Sequence, residues 1–409
     1  MELRLSRRIA ALAPSSTTAA GKKAKALAAS GVDVVDLSIG EPDFATPSHV
    51  GRAGMRAIEV GRTKYTDVAG EAALRDAIAA KYAREQSAEV RRENVIVTAG
   101  AKQAVFNVCI ALFDEGDDVA LFSPYWVSFP EMVRLTGANP VFVETRLEDG
   151  WHPTAGALTA VAGRLQAGGA SRPPTPRGEV RGVIVNSPNN PTGAVTDADE
   201  LSRIVDWCES RGAWLIYDET YDRFLYDGRT HASAAALRDR YERIVITGAA
   251  SKTFAMTGWR LGWAIGPPEL IAAMTSYQSH TTSNASSISQ AAALEALTDL
   301  EGSSASVAEM LAHYESRRKT MIEGLAGIPG VRCPMPEGAF YAFADVSALY
   351  PRKGVSGSAG FCDRLLAEAH VATVPGDAFG ADRCVRFSFA TRTDRIREGV
   401  KRIADWARR

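Results

Sequence analysis

The chain has 409 residues, 46% apolar and 23% charged, with 47 basic residues against 48 acidic ones. That length exceeds one simple core, so a large domain with a smaller companion is expected, and the near-zero charge offers no long-range field to a nucleic-acid backbone. Five scattered cysteines without a C-x-x-C pair, and six histidines without an H-E-x-x-H, argue against a disulfide framework and against any metal site, and fit a reducing cytoplasm.

In chain order, Ile9 to Ala13 form an apolar run after Arg7 and Arg8. The run is too short for a signal peptide or a bilayer span, so no membrane association is expected and Met1 to Pro14 read as an N-terminal arm. Further along come short apolar runs bounded by Gly, Pro, Ser or Asp: Val95 to Thr98, Val119 to Phe122, Val141 to Val143, Val183 to Asn186, Trp214 to Asp218, Ile244 to Thr247 and Leu261 to Ile265. Buried, mostly parallel strands read this way. Seven of them, alternating with helical patterns such as Ala101 to Phe113, predict an α/β domain with helices on both faces of one sheet. Gly163 to Arg181, rich in Gly, Pro, Ser and Arg, reads as an exposed loop. After about Asn284 the pattern changes. Helix is expected over Ser304 to Leu325, Ser358 to Ala369 and Arg395 to Arg408, and strand over Ala339 to Ala344 and Val385 to Phe389, a smaller α+β unit. The large domain is assigned to residues 46–300, and the small one to residues 1–45 with 301–409.

Ligands of parallel α/β sheets bind beyond the carboxyl ends of the strands, so the residues just past each strand end matter most. The first strand leads into Gly100-Ala101-Lys102, a helix start whose N–H groups suit a phosphate. Beyond the second come Tyr125 and Trp126, aromatics that stack on a flat ring or merely fill the core. The fourth ends in Ser187-Pro188-Asn189-Asn190-Pro191-Thr192-Gly193, a rigid polar turn able to present the Asn190 amide. The fifth ends in Asp218, with Tyr221 close behind. A carboxylate there is costly unless partnered, and the plain alternative is an N-cap for the next helix. The sixth leads to Ser251-Lys252 among small and apolar neighbours, which suits a lysine of lowered pKa and Schiff-base chemistry. Arg260, eight residues on, can fork two donors onto a phosphate.

Each feature alone is ordinary. Together they make one set: a lysine for an aldehyde, an acid for a ring nitrogen, donors for a phenolic oxygen, a stacking aromatic and an anion cradle. With Gly40-Glu41-Pro42-Asp43-Phe44, Lys64-Tyr65, Asn189-Asn190-Pro191-Thr192-Gly193, Tyr217-Asp218-Glu219, Ser251-Lys252 and Arg386-Phe387-Ser388, the sequence resembles the class I aminotransferases of pyridoxal-phosphate fold type I, in the bacterial aspartate aminotransferase subgroup.

The resemblance implies pyridoxal 5'-phosphate as cofactor and ping-pong transfer between an amino acid and a 2-oxo acid through pyridoxamine phosphate. It casts Lys252 as the cofactor-bearing lysine and general base, and Asp218 as partner of the ring nitrogen. Asn190 and Tyr221 serve the phenolic oxygen, and Trp126 stacks on the ring. Arg260 with Gly100, Ala101 and Lys102 holds the phosphate, and Tyr65 reaches the phosphate of a neighbouring subunit in a homodimer with shared sites. Arg386 grips the substrate α-carboxylate, helped by Asn190 and Gly40, with Trp126 beside it. Lys102 and Ser279 stand where this subgroup reads a second carboxylate. Ala249 replaces a phosphate-binding serine of some relatives. Aspartate or glutamate is the first expected substrate. Aromatic or prephenate-type acceptors, a specialised-metabolite amino acid, or a lyase or cyclase reaction on the same scaffold are the alternatives.

Overall fold

The computed structural model describes residues 4–10, 12, 16–166 and 179–409. Strand β1 (Val35–Asp36) comes first. The main sheet is built from β2 (Val95–Thr98), β3 (Asp118–Ser123), β4 (Asn139–Glu144), β5 (Val180–Asn186), β6 (Trp214–Asp218), β7 (Ile244–Ala249) and β8 (Gly262–Ile265). Their order is β2-β8-β7-β6-β5-β3-β4. Only β8 runs against its neighbours β2 and β7.

All seven strands match the runs expected from sequence, and their composition says why. Successive side chains of a strand point to opposite faces. Leu215 and Tyr217 of β6 enter one core, while Ile216 between them enters the other. The same alternation holds in β5, where Val183 and Val185 oppose Ile184. With both faces buried, every position must be apolar and no polar alternation survives.

Four short strands complete the chain: β9 (Tyr341–Asp345), β10 (Val371–Ala372), β11 (Val374–Pro375) and β12 (Cys384–Ser388). β12 lies antiparallel between β11 and β9, and β10 pairs in parallel with β1, so the N-terminal segment joins the C-terminal one. Helices Leu300–Ala326, Ser358–Ala369 and Thr393–Arg408 pack around these strands. In the last of them Ile396, Val400, Ile403 and Ala407 are buried at helical spacing, one apolar stripe.

Two expectations need correction. The long C-terminal helix begins at Leu300, capped by Asp299, which accepts from Gly302 N at 3.0 Å. The stretch Gly163 to Arg181 is not all loop. Its first residues close the helix Ala155–Gln166, its last open β5, and residues 167–178 lie outside the described residues. The N-terminal arm lies partly outside them too. Its described part holds a short helix, Arg7–Ala10, and Ser16–Ala29 forms a full helix after it. Among the described residues no helix is long and apolar enough to cross a membrane.

Candidate active site

The carboxyl ends of β2, β3, β5, β6 and β7 open onto one cavity of about 540 Å³. Because β8 runs the other way, its start lies at that same edge: Gly262 pairs with Thr98 on one side and Ala249 on the other. Arg260 therefore joins the site although no strand precedes it. Ala101, Lys102, Trp126, Asn190, Asp218, Tyr221, Lys252, Arg260, Arg386 and Gly40 all line the cavity.

Lys252 sits in a single helical turn, Ala250–Thr253, directly after β7. Its Nζ donates to the Gly40 carbonyl at 2.6 Å. Burial lowers its pKa to about 8, helped by the nearby Arg386, Arg260 and Lys102 charges and opposed by Glu41. An amine in this state is partly neutral near physiological pH, the form that attacks a carbonyl.

Asp218 ends β6 and is 5% exposed. No helix starts after it, so the N-cap alternative falls. Its Oδ1 instead accepts from Thr220 N at 3.1 Å and Thr220 Oγ1 at 2.6 Å, an Asx-type turn. Burial pushes its pKa up to about 6, against the pull of the Thr220 bonds. A carboxylate under that penalty gains from a cationic partner in the cavity. Tyr221 is buried, and its hydroxyl lies 2.9 Å from the Tyr341 hydroxyl. Burial, the largest cause, holds its phenol well above the usual range and so neutral.

Gly100 and Arg260 form a cradle. Gly100 has φ +89°, and a Cβ on it would stand 2.5 Å from Arg260 Nη2. The guanidinium thus packs directly over the start of helix Ala101–Leu112, donating to Thr257 O at 2.9 Å and Ala99 O at 3.2 Å. First-turn N–H groups of a helix have no acceptor within it, and with Arg260 they suit an anion. Lys102 Nζ lies 4.9 Å from the centre of the Trp126 ring. Burial and then Arg260 lower the Lys102 pKa.

Arg386, in the middle of β12, is 2% exposed. It donates to Asn190 Oδ1 and to Ser38 O, each at 2.9 Å, and lies 4.4 Å over the Tyr341 ring. No carboxylate pairs with it among the described residues, and its buried Nε has no partner. A buried cation without a counterion is strongly unfavourable, and an anion in the cavity would relieve that cost. Around the cavity five basic side chains (Lys25, Lys102, Lys252, Arg260, Arg386) stand against three acids (Asp36, Glu41, Asp218).

Three expected residues are not part of this lining: Gly100 lies behind it against Arg260, and two others lie away from it. Tyr65 is 90% exposed. Ser279, at the end of helix Pro268–Ser279, is exposed and donates to Ser276 O. Conversely, Asn186, Tyr341, Ser38, Glu41 and Lys25 line the cavity with no role read for them from the sequence. Tyr341 opens a strand of otherwise core residues and carried no separate signal. Glu41 stands in the Gly40-to-Phe44 motif, and its Oε2 accepts from Thr257 Oγ1 at 2.7 Å.

A model of the family described as aminotransferase class I and II matches residues 32–403. The chain belongs to this family. It is 43% identical over 400 residues to the aspartate/prephenate aminotransferase of Thermus thermophilus, covering 98% of each chain. It is 40% identical over 402 residues to the aspartate aminotransferase of Geobacillus stearothermophilus, again covering 98% of each. Among solved structures, that of the Thermus thermophilus aspartate aminotransferase with maleate superposes with a TM-score of 0.90 at 41% identity, covering 99% of this chain and 100% of that one. The Rhizobium meliloti aspartate aminotransferase gives 0.90 at 36%, covering all of both. The aminotransferase fold expected from the sequence is therefore the fold found, and the chain is an amino-group transferase.

Proposed function

We propose that this aminotransferase uses pyridoxal 5'-phosphate and favours aspartate or glutamate as amino donor. The buried, acid-free Arg386 carries the reading, since it offers a planar two-pronged donor to an α-carboxylate. In this reading residues 46–300 hold the cofactor, and residues 1–45 with 301–409 supply Arg386.

The cavity has the chemistry that the cofactor needs. Lys252 would take its aldehyde, and Asp218 would keep its ring nitrogen protonated. Asn190 and Tyr221 would face its phenolic oxygen, and Trp126 its ring. Arg260 and the helix start at Gly100, Ala101 and Lys102 would hold its phosphate. When bound, the cofactor supplies an electron sink for the substrate α-carbon. The chain's own work is to bind and orient. Arg386, aided by Asn190 and Gly40, fixes the α-carboxylate. Lys252, once free, moves the α-proton as general base. Lys102 is the cation proposed for a second carboxylate, with Ser279 contributed by a partner subunit. Tyr65 would reach the partner's phosphate site, which makes the working unit a homodimer. Five unpaired thiols suit the cytoplasm.

The test is a half-reaction panel. Protein loaded with pyridoxal phosphate is mixed with single amino acids, and the absorbance change is timed. Aspartate and glutamate should convert the cofactor fully and fastest. No conversion with any amino acid defeats the proposal. An aromatic substrate winning instead would favour the second reading, an acceptor of the prephenate type, which the names of several relatives suggest.

A further inference from the structure

Glu337 lies outside the cavity, four residues before Tyr341, and its contacts converge on the site from behind. Its Oε2 accepts from Val195 N at 3.1 Å and lies 2.9 Å from His152 Nε2, while Oε1 pairs with Arg229 at 2.5 Å. Its backbone N donates to Gly193 O at 2.9 Å, and its carbonyl accepts from Tyr226 N at 3.0 Å. Gly338 N also donates to Gly193 O, at 2.8 Å. Gly193 has φ +73°, and a Cβ there would stand 2.5 Å from Pro336 Cβ and 2.8 Å from Gly338 O. The turn that carries Asn190 is thus pressed onto residues 336–338 without slack. At its other end that turn presents Asn190 Oδ1 to Arg386.

We propose that Glu337 is a positioning residue for Asn190 and Arg386, and that His152 makes this positioning pH-dependent. The inference rests on the reading of Arg386 as the carboxylate anchor. The charged groups facing His152 are Glu337, Arg229 and Asp197. The Glu337 bond, with help from Asp197, raises the His152 pKa against burial and Arg229. His152 and Arg229, with Val195 N, hold Glu337 below its ordinary value despite burial. On the acid side both cations grip the carboxylate. As pH rises through the His152 pKa one is lost, and the half-exposed Arg229 is left with Val195 N. Carboxylate capture at Arg386 weakens in step.

The test uses the cofactor-loaded protein and succinate, a dicarboxylate that cannot be aminated, with binding read by calorimetry between about pH 6 and 9. In Glu337→Gln the succinate Kd should rise about tenfold at the acid end. The KM for the amino donor should rise in parallel, with kcat held within about twofold. In His152→Gln, which keeps a donor but cannot titrate, the part of the pH dependence due to His152 should vanish while the part due to other groups remains. Wild-type Kd in a folded Glu337→Gln overturns the proposal, as does a wild-type pH profile in His152→Gln. If Glu337→Gln does not fold, the half-exposed His152 variant decides alone. A wild-type protein that binds no succinate overturns the anchor reading and this inference with it. Normal wild-type binding with unchanged variants overturns only the inference.

Discussion

Replacing Asp218 with asparagine keeps the shape of the β6 end and the turn to Thr220, and removes one buried charge. A neutral amide cannot hold a ring nitrogen protonated. Turnover should fall by about 10²–10³, or 3–4 kcal/mol, the usual scale for a charge aimed at a transition state, while cofactor still binds. Single-turnover rates check this, and near-normal rates would reduce Asp218 to a turn residue. Lys252 allows a different test, on the apoprotein. With its pKa lowered to about 8 from 10.5, the rate of uptake of pyridoxal phosphate should climb with pH and level off just above 8. A climb continuing toward 10 would mean that burial does not tune this amine. Lys102→Ala separates two roles. If Lys102 reads a distal carboxylate, kcat/KM for aspartate and glutamate should drop by about 1.5–3 kcal/mol and that for phenylalanine should barely move. A uniform drop with weaker cofactor binding assigns Lys102 to the phosphate.

The elements that hold these residues were legible in the sequence wherever an apolar run met a sharp boundary. β2, β5, β6 and β7 each end in a residue or turn that enters the cavity, so reading past the strand ends found Ala101, Asn190, Asp218 and Lys252. The same rule passed over Tyr341, Ser38 and Lys25. They reach the cavity from β9, from the segment after β1 and from helix Ser16–Ala29, none of which belongs to the main sheet. No local pattern shows which distant elements share an edge. The cradle at Gly100 gives an element-scale prediction. An alanine there must adopt φ +89° and meet Arg260 at 2.5 Å. With ψ 162° this is backbone space essentially reserved for glycine, which costs another residue about 1–3 kcal/mol, and the helix start or the guanidinium must move. Cofactor Kd, measured by fluorescence titration of the apoprotein, should rise about tenfold or more. An unchanged Kd would remove this helix start from the phosphate site.

At the scale of the molecule, the single chain leaves Tyr65 almost fully exposed and Ser279 on the surface. A tyrosine that exposed stabilises little by itself, and the proposed homodimer would cover both positions. If sites are shared, mixing inactive Lys252→Ala with an inactive Tyr65 or Ser279 variant, and allowing subunits to exchange, should restore part of the activity. A monomer fully active at high dilution would exclude shared sites. Most centrally, we propose that the cofactor attaches to Lys252, in the turn after β7, which lines one cavity with Asp218, Arg260 and Arg386. Borohydride reduction of the cofactor-loaded protein fixes the carbon–nitrogen bond in place, and peptide mapping then locates it. The modified lysine should be Lys252 and no other; a tag on Lys102, Lys25 or any further lysine would contradict the account.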